Sequence, residues 1–371
     1  MVGVKMEKLF GEICNAYELK GTLYKWARLK RGHINDTYRV DLLEDGKEKS
    51  YLFQKVNDFV FKKPELIVKN VKGVTAHIRC KMEAIGACDV KRNVLKLYEN
   101  NGKGLYYTKD GGCWRVLSFV YNATTYDKFD LKKLGAIGRG FGIFLAMLSD
   151  YPCGDLYETI PDFHNTPKRF DAFFKAYEAD TEGRAAEIAE EAEYIRSVAC
   201  HADRFNKLYM EGKLPLRVTH NDTKGNNIMM DIDTDEPLAV IDLDTVMPGF
   251  AMHDFGDAVR YAANTAAEDE KDLTKVSLDL ERYKALADGF LPPMLGKFTE
   301  VEIRNMPWGV ILITLETAVR FLTDYLQGDV YFKTEYEEHN LVRGRCQLAL
   351  AKDAINKLDD MEKITENYLK I

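Results

Sequence analysis

The stretch His220-Asn221-Asp222-Thr223-Lys224-Gly225-Asn226-Asn227 reads His-x-Asp-x-x-x-x-Asn, and fifteen residues after Asn227 an Ile-Asp pair ends at Asp242. Two short β-type runs, 227–232 (NIMMDI) and 238–242 (LAVID), flank the turn-forming cluster Thr234-Asp235-Glu236-Pro237. The pattern predicts a loop that carries Asp222 and Asn227 and a hairpin that brings Asp242 to face it. A transferring phosphoryl group spreads its charge over equatorial oxygens, so a protein catalyses the step mainly by positioning and by metal and cationic stabilisation. Magnesium takes hard oxygen ligands from one or two carboxylates, substrate phosphates and water, and Asp242 with the Asn227 amide oxygen meets that demand. Asp222 is then placed to orient an acceptor hydroxyl and receive its proton, with His220 as a loop organiser rather than a base. The plain alternative is a turn whose Asn and Asp side chains bond their own backbone.

Upstream the chain is β-rich. Residues 35–43 (NDTYRVDLL) and 51–56 (YLFQKV) flank an Asp45-Gly46 hairpin signal, and a helix starts near Pro64 with apolar Ile67, Val71, Val74 and Ile78. Strand patterns return at 93–98, 104–108 and 114–121, the last after Asp110-Gly111-Gly112. These runs predict a five-stranded antiparallel sheet with one packed helix. From about residue 130 the spacing turns helical, with predicted helices at 131–148, 168–180, 184–210, 254–263, 279–291, 307–327 and 339–368. A chain of 371 residues exceeds one ordinary core, so two lobes are expected: a β-rich 1–121 and a mainly helical 122–371.

Composition narrows the partners. With 52 basic against 59 acidic residues and a net charge of -7, the chain lacks the clustered positive charge of a nucleic-acid binder. Its seven Cys form no C-x-x-C pair and leave an odd thiol, which fits a reducing compartment and gives no zinc knuckle. Met1 to Phe10 lacks the apolar core of a signal peptide, and Val310 to Leu322 is a short apolar stretch carrying Glu316 and Arg320, better read as a buried helix than a membrane span. The expectation is a cytoplasmic protein. Oligomeric state is not legible here.

Several stretches together resemble one family. Gly32-His33-Ile34-Asn35-Asp36-Thr37, Gln54-Lys55-Val56-Asn57, His220 to Asn227, Val240 to Gly249 (VIDLDTVMPG), Asp254-Phe255-Gly256-Asp257, Asn264 to Asp269 and Arg320 to Asp329 (RFLTDYLQGD) cover most of the chain. They resemble the aminoglycoside phosphotransferase and choline kinase group, most closely bacterial N-acetylhexosamine 1-kinases. The resemblance implies an α+β, protein-kinase-like bilobal fold that uses ATP and Mg2+, with Asp222 catalytic and Asn227 and Asp242 on the metal. It implies that Phe119, Val120 and Tyr121 form the hinge against adenine, and that Gly32 sits in a loop covering phosphate or sugar. Lys30-Arg31-Gly32 departs from the family's pattern in carrying one Gly where relatives often have a second two residues earlier.

Lys55 shares a strand face with Tyr51 and Phe53 and is expected to reach phosphate oxygens, paired with Glu65 or Glu83; a surface lysine is the alternative. Asp254 and Asp257 read as acidic residues at the positive end of a helix, with Asp244 and His253 the nearby candidates for a site role. Arg320 and Asp324 have i, i+4 ion-pair spacing, while the resemblance sends Arg320 into an acceptor pocket for a neutral sugar, with His33 and Asn35 as further donors and Tyr261 and Tyr331 near an acetamido group. Rival readings are a kinase of a cationic acceptor such as choline or an aminoglycoside, a nucleotide-binding pseudokinase, and a metal-dependent hydrolase, the last lacking an H-E-x-x-H pair.

Overall fold

Strand β3 (Lys47–Val56) sends Tyr51 and Phe53 to one face and Leu52 and Gln54 to the other, and the two faces meet different surroundings. A computed structural model describes residues 2–29 and 35–370 and places this strand inside an antiparallel five-stranded sheet. The first half of the chain runs α1 (Val2–Ala16), β1 (Thr22–Leu29), β2 (Asp36–Glu44), β3, α2 (Pro64–Ala84), α3 (Val90–Asn93), β4 (Tyr106–Tyr107) and β5 (Cys113–Ser118). The sheet order is β1-β2-β3-β5-β4.

One face buries Val40, Leu42, Tyr51, Phe53, Trp114 and Val116 under Phe10 and Ile13 of α1. The Phe10 ring meets Trp26, Tyr38, Phe53 and Trp114 edge-on at 5.3 to 6.0 Å, the geometry that aromatic quadrupoles favour. The opposite face carries Thr37, Arg39, Gln54 and Arg115, because cross-strand partners Thr37 with Gln54, Arg39 with Leu52, and Gln54 with Arg115 share a side. Beneath that face α2 packs Ile67, Val71, Val74 and Ile78 in one core with Leu117 of the sheet and Phe144 and Leu148 of the helical half.

The number of strands agrees with the sequence expectation, but their identity differs in one place. Residues 93–98 are not a strand: α3 occupies the start, and a single bridge joins Leu97 to Leu117. The missing member is β1, an edge strand whose sequence TLYKWARL is mostly exposed and so shows no alternation to read. The run expected at 104–108 contracts to Tyr106–Tyr107, and helix α1 had no counterpart in the expectation.

The chain leaves the sheet through residues 119–122 and enters β6 (Ala123–Thr124), which pairs with β8 (Ile228–Asp231), itself paired with β9 (Pro237–Val240). Helices α4 (Leu131–Met147), α5 (Thr166–Ala179), α6 (Ala189–Val198) and α7 (Arg204–Met210) precede β7 (Arg217–Thr219), which pairs antiparallel with β10 (Met247–Gly249). After α8 (Ala251–Ala262) come α9 (Leu280–Phe290), α10 (Glu300–Arg304), α11 (Met306–Leu326), α12 (His339–Asn356) and α13 (Leu358–Glu366). The expected helix 184–210 is broken by 3-10 turns around α6, and 339–368 breaks at Lys357.

Two glycines set the crossing of α8 and α11. A Cβ on Gly256 of α8 would lie 2.3 Å from the Gly309 carbonyl oxygen of α11, so only hydrogen atoms fit between these backbones. Among the described residues α11 is the one helix long and apolar enough to cross a membrane, and 78% of its most apolar window is buried inside the fold.

Candidate active site

The loop 220–227 hangs between two small sheets. The β7–β10 pair fixes its start, with Thr219 Oγ1 donating to the Met247 carbonyl at 2.9 Å. Its end is tied to the β9 exit, where Ile241 N donates to the Asn227 carbonyl at 2.9 Å. In between, α8 supplies acceptors for the loop's amides. Asp254 takes His220 N at 2.8 Å and Asn221 N at 2.7 Å, and Asp257 takes Thr223 N at 2.9 Å. Arg260 in turn holds Asp257, with Nη2 at 2.8 Å, and holds Glu268 at the same distance through Nη1. Burial pushes the Asp254 carboxyl up to about 6, while charge and hydrogen bonds from His220 and the loop amides act against it.

Asp222 lies at the head of this loop. Burial works to raise its carboxyl, yet the Lys224 ammonium, 3.0 Å from Oδ1, and the nearby His220 hold it below its usual range. Asn227 Nδ2 donates to the Asp222 carbonyl at 2.8 Å and to Oδ2 at 3.2 Å. His220 accepts the Asp222 amide on Nδ1 at 3.3 Å and reaches the Ile241 carbonyl from Nε2 at 2.9 Å, so its ring links loop 220–227 to the strand leading into Asp242. Phe141 and Phe144 pack edge-on against that ring.

Asp242 takes a left-handed backbone with φ of 58°, a conformation that Asp tolerates better than most residues and that marks a constrained site. Its carboxyl is pushed up to about 6, first by burial and then by the neighbouring carboxylates of Asp244 and Asp222. No ion pair neutralises Asp242 among the described residues. A half-buried carboxylate that faces two others is a position where a bound cation relieves repulsion.

Asp244, two residues on, faces the sheet. Arg115 Nη2 of β5 lies 2.6 Å from Asp244 Oδ1, and Asn35 Nδ2 donates to Oδ2 at 2.6 Å. Arg115 also donates from Nε to Gln54 at 3.0 Å, and Gln54 donates to Thr37 Oγ1 at 3.0 Å. A polar ladder therefore crosses β2, β3 and β5 and ends on the loop beside Asp242.

Lys55 does not belong to that ladder. Its neighbour Gln54 occupies the face toward Asp244, and Lys55 itself projects exposed on the Tyr51 and Phe53 side, near Gly112 and Trp114. Glu65 and Glu83 are exposed and bind nothing at this site. The period of two was read correctly in sequence; the face chosen as the cleft was the one covered by α1.

A sequence model described as the phosphotransferase enzyme family matches residues 25–286. The chain belongs to this family. Its fold is similar to an aminoglycoside phosphotransferase from Alicyclobacillus acidocaldarius (TM-score 0.56, 11% identity, 93% of each chain covered) and to a choline kinase from Cryptosporidium parvum (0.55, 13%, 95% of this chain and 96% of that one). A spectinomycin phosphotransferase in complex with ADP and spectinomycin is also similar (0.54, 11%, 91% and 94%). At these identities the likeness is one of fold, the protein-kinase-like arrangement of a five-stranded sheet and a helical part.

The phosphotransferase's remaining candidates fall in three groups. Phe119, Val120 and Tyr121 form the connection from β5 toward β6: Val120 is buried, the Arg39 guanidinium lies 4.7 Å from the Phe119 ring centroid, and Tyr121 OH accepts Ser50 N at 2.5 Å. Arg92 fastens this connection by donating to the carbonyls of Tyr121 and Asn122. Gly32 and His33 lie outside the described residues, whereas Asn35 is described and engaged with Asp244 and with the Asn57 amide.

On α11, Arg320 lies between the rings of Phe163 and Phe332, 5.4 and 5.5 Å from their centroids. It makes no ion pair with Asp324. That carboxylate instead accepts the amides of Val330, Tyr331 and Phe332 and the Asn340 side chain, shaping the turn that sets Phe332 against Arg320. Tyr331 is half exposed on this turn, and Tyr261 of α8 packs near Phe129 with Lys224 and Glu268 in electrostatic reach.

Arg115, Lys224 and the loop clamps Asp254 and Asp257 had no assigned catalytic-site role in the sequence expectation. Lys224 was visible inside the motif itself. The Asp254 contact spans more than thirty residues, and Arg115 depends on which sheet face meets the loop, so neither had a local signal.

Proposed function

We propose that the chain transfers the γ-phosphoryl group of ATP to the anomeric hydroxyl of an N-acetylhexosamine, N-acetylglucosamine or N-acetylgalactosamine, to give the sugar 1-phosphate. The carrying observation is the convergence of Asp222, Asn227 and Asp242, with Lys224 on Asp222 and the Asp242 carboxyl raised by burial and by the carboxylates of Asp244 and Asp222. Asp222, kept ionised beside Lys224, accepts a hydrogen bond from the acceptor hydroxyl and takes its proton as the bond to phosphorus forms. Asp242 and the Asn227 amide oxygen would hold Mg2+, which would supply positive charge to offset that of the phosphates. Lys224 and Arg115 add fixed positive charge on the two sides of that position.

In this reading residues 1–121 hold the nucleotide, with Phe119, Val120 and Tyr121 against adenine, and residues 122–371 hold the acceptor. Lys55 is turned the wrong way to meet phosphate, and Arg115, buried against Asp244, acts by fixing the segment beside Asp242. Gly32 and His33 are assigned to phosphate and sugar by the sequence resemblance alone, and Asn35, Arg320, Tyr261 and Tyr331 are the described acceptor candidates. The wall around Arg320 supports a neutral acceptor: Arg169 is close enough for the two guanidinium charges to interact, and burial followed by Arg320 lowers the Arg169 pKa. A choline or aminoglycoside cation gains nothing from two guanidinium groups.

ADP release measured with a panel of free sugars, choline and aminoglycosides tests the acceptor. Stimulation by N-acetylhexosamines and not by the cations is the expected result. Stimulation by a cation alone removes the sugar reading and leaves the phosphotransferase, and binding of ATP with no stimulation by any acceptor favours a pseudokinase.

A further inference from the structure

Behind the catalytic loop lies a buried charged group that none of the roles above uses. His164, in the segment entering α5, sets Nδ1 2.8 Å from Glu316 Oε1 and Nε2 3.0 Å from the carbonyl oxygen of Asn221. Both partners are acceptors only, so both ring nitrogens must carry hydrogen for the two contacts to be attractive, and an imidazole with two N–H groups is a cation. We propose that His164 is a positioning residue: a buried imidazolium, with Glu316 as its counter-ion, that fixes the Asn221–Asp222 peptide and thereby aims the Asp222 carboxylate. The proposal rests on the phosphotransfer reading of Asp222.

Glu316 is fully buried on α11, and its second oxygen accepts Thr166 Oγ1 at 2.8 Å, so neither oxygen is left without a partner. A carboxylate so placed stays ionised only beside a cation. Burial would raise it, but the charge and hydrogen bond of His164 hold it down to about 2. His164 responds in the opposite sense: burial lowers its pKa, and Glu316 more than restores it, leaving it above the ordinary histidine value.

The other charged and titratable groups facing the pair come from three helices. Arg320 stands one turn along α11 and opposes protonation of His164, while Arg169 on α5 lies near both Arg320 and Glu316. On α8, His253 has its ring 5.2 Å away and is pushed down to about 3 by burial and then by His164, so it stays neutral; Asp254 supplies negative charge from the same helix.

Position gives the pair its consequence. Asn221 has a φ of 64°, and each of its other polar groups is already held: N by Asp254, Oδ1 by Thr219 Oγ1, and Nδ2 on the Thr245 carbonyl. His164 holds the remaining group, the carbonyl whose peptide plane leads directly into Asp222. Glu316 also precedes Arg320 by four residues on the same helix face, so the helix that carries the acceptor-side guanidinium also braces the catalytic loop. Neutral imidazole has one N–H and cannot serve both acceptors.

The expected signature is an alkaline limb in kcat. The stabilisation of the loop is complete below the ordinary histidine pKa and disappears as pH rises through the raised pKa of His164. Glu316→Gln moves this limb to lower pH by roughly 1–3 units, the effect of removing an opposite charge at hydrogen-bond distance. His164→Ala lowers kcat by on the order of 10- to 100-fold, since a misaimed group costs that much, with KM for ATP nearly unchanged. His164→Gln, which keeps one donor, recovers part of the loss. Nitrogen-15 NMR of the wild-type chain labelled at its seven histidines gives a readout that needs no variant to fold, beyond assigning the signal lost in His164→Gln.

Two protonated nitrogens on His164 at neutral pH, with the shifted limb in Glu316→Gln, is the predicted result. A neutral tautomer, or an unchanged kcat and pH profile in His164→Ala and Glu316→Gln, overturns the proposal. Asp222→Asn is the control: if it keeps full activity the phosphotransfer reading fails, and if it is inactive while the His164 variants behave as wild type, the positioning role alone fails.

Discussion

Replacing Arg115 with Met breaks the ion pair that joins the sheet to the loop after Asp242. Arg115 and Asp244 have side chains 3% and 4% exposed and lie 2.6 Å apart, so either charge left alone is stranded away from water. Removing one member of such a pair costs about 3–5 kcal/mol, most of it the penalty on the abandoned charge. Met keeps much of the Arg stem's volume, which limits any added cavity term. The companion change Asp244→Asn abandons Arg115 in the same way, although Asn35 still has an amide oxygen to meet. In the double variant neither charge remains, and the loss falls well below the sum of the single losses. The predicted coupling is about 2 kcal/mol or more, as expected of close, desolvated partners. Denaturant unfolding of the four proteins measures it. The same cycle separates structure from function: Arg115→Met and the double variant both lose nucleotide affinity, because the contact fixing the segment beside Asp242 is missing from each, whereas stability is partly restored only in the double variant. Strictly additive stability losses refute the reasoning, and so does an Arg115→Met protein that binds ADP as wild type does.

Lys55→Met is expected to leave KM for ATP within a factor of about 2, since the side chain is exposed on the face away from Asp244, and ATP titrations of the rate check it. Gly256→Ala forces a methyl to within 2.3 Å of the Gly309 carbonyl oxygen, and thermal melting should show a loss at the upper end of the ~1–3 kcal/mol typical of overpacking. Asp254 adds a pH-dependent contribution, because burial lifts its carboxyl from 3.8 to about 6 in the folded chain. The folded state thus binds a proton that the unfolded chain leaves in water; this stabilising contribution is complete below the unfolded value and is lost as pH rises through about 6. Asp254→Asn abolishes it, so the gap between wild-type and variant unfolding midpoints changes between the unfolded value of 3.8 and about 6, and a constant gap contradicts the assignment.

How far the sequence reached depended on the range of the interactions. Asp222, Asn227 and Asp242 were legible because one loop and the hairpin after it encode them within a short span, and turn chemistry and strand period act locally. Helices α2, α4, α9 and α11 announced themselves by long apolar periodicity. Strand β1 did not, being an exposed edge, and the extended segment at 94–98 looked like a strand because its apolar residues serve the core under α2 rather than a ladder. Lys55 shows the limit most clearly: alternation placed it correctly beside Tyr51 and Phe53, but which face meets the active site depends on where α1 packs. Arg115 with Asp244, Asp254 with the loop amides, and His164 with Glu316 are pairings across 33 to 152 residues, and no local pattern predicts them.

In the proposed reaction Asp222 serves transfer of a phosphoryl group from ATP to an anomeric hydroxyl. Phosphorus-31 NMR of the product made from ATP, Mg2+ and N-acetylglucosamine or N-acetylgalactosamine tests it. A new phosphate resonance coupled to the anomeric proton with the wild-type chain, and none with Asp222→Asn, is the expected result. A phosphate on another hydroxyl, or an equal yield from Asp222→Asn, contradicts it.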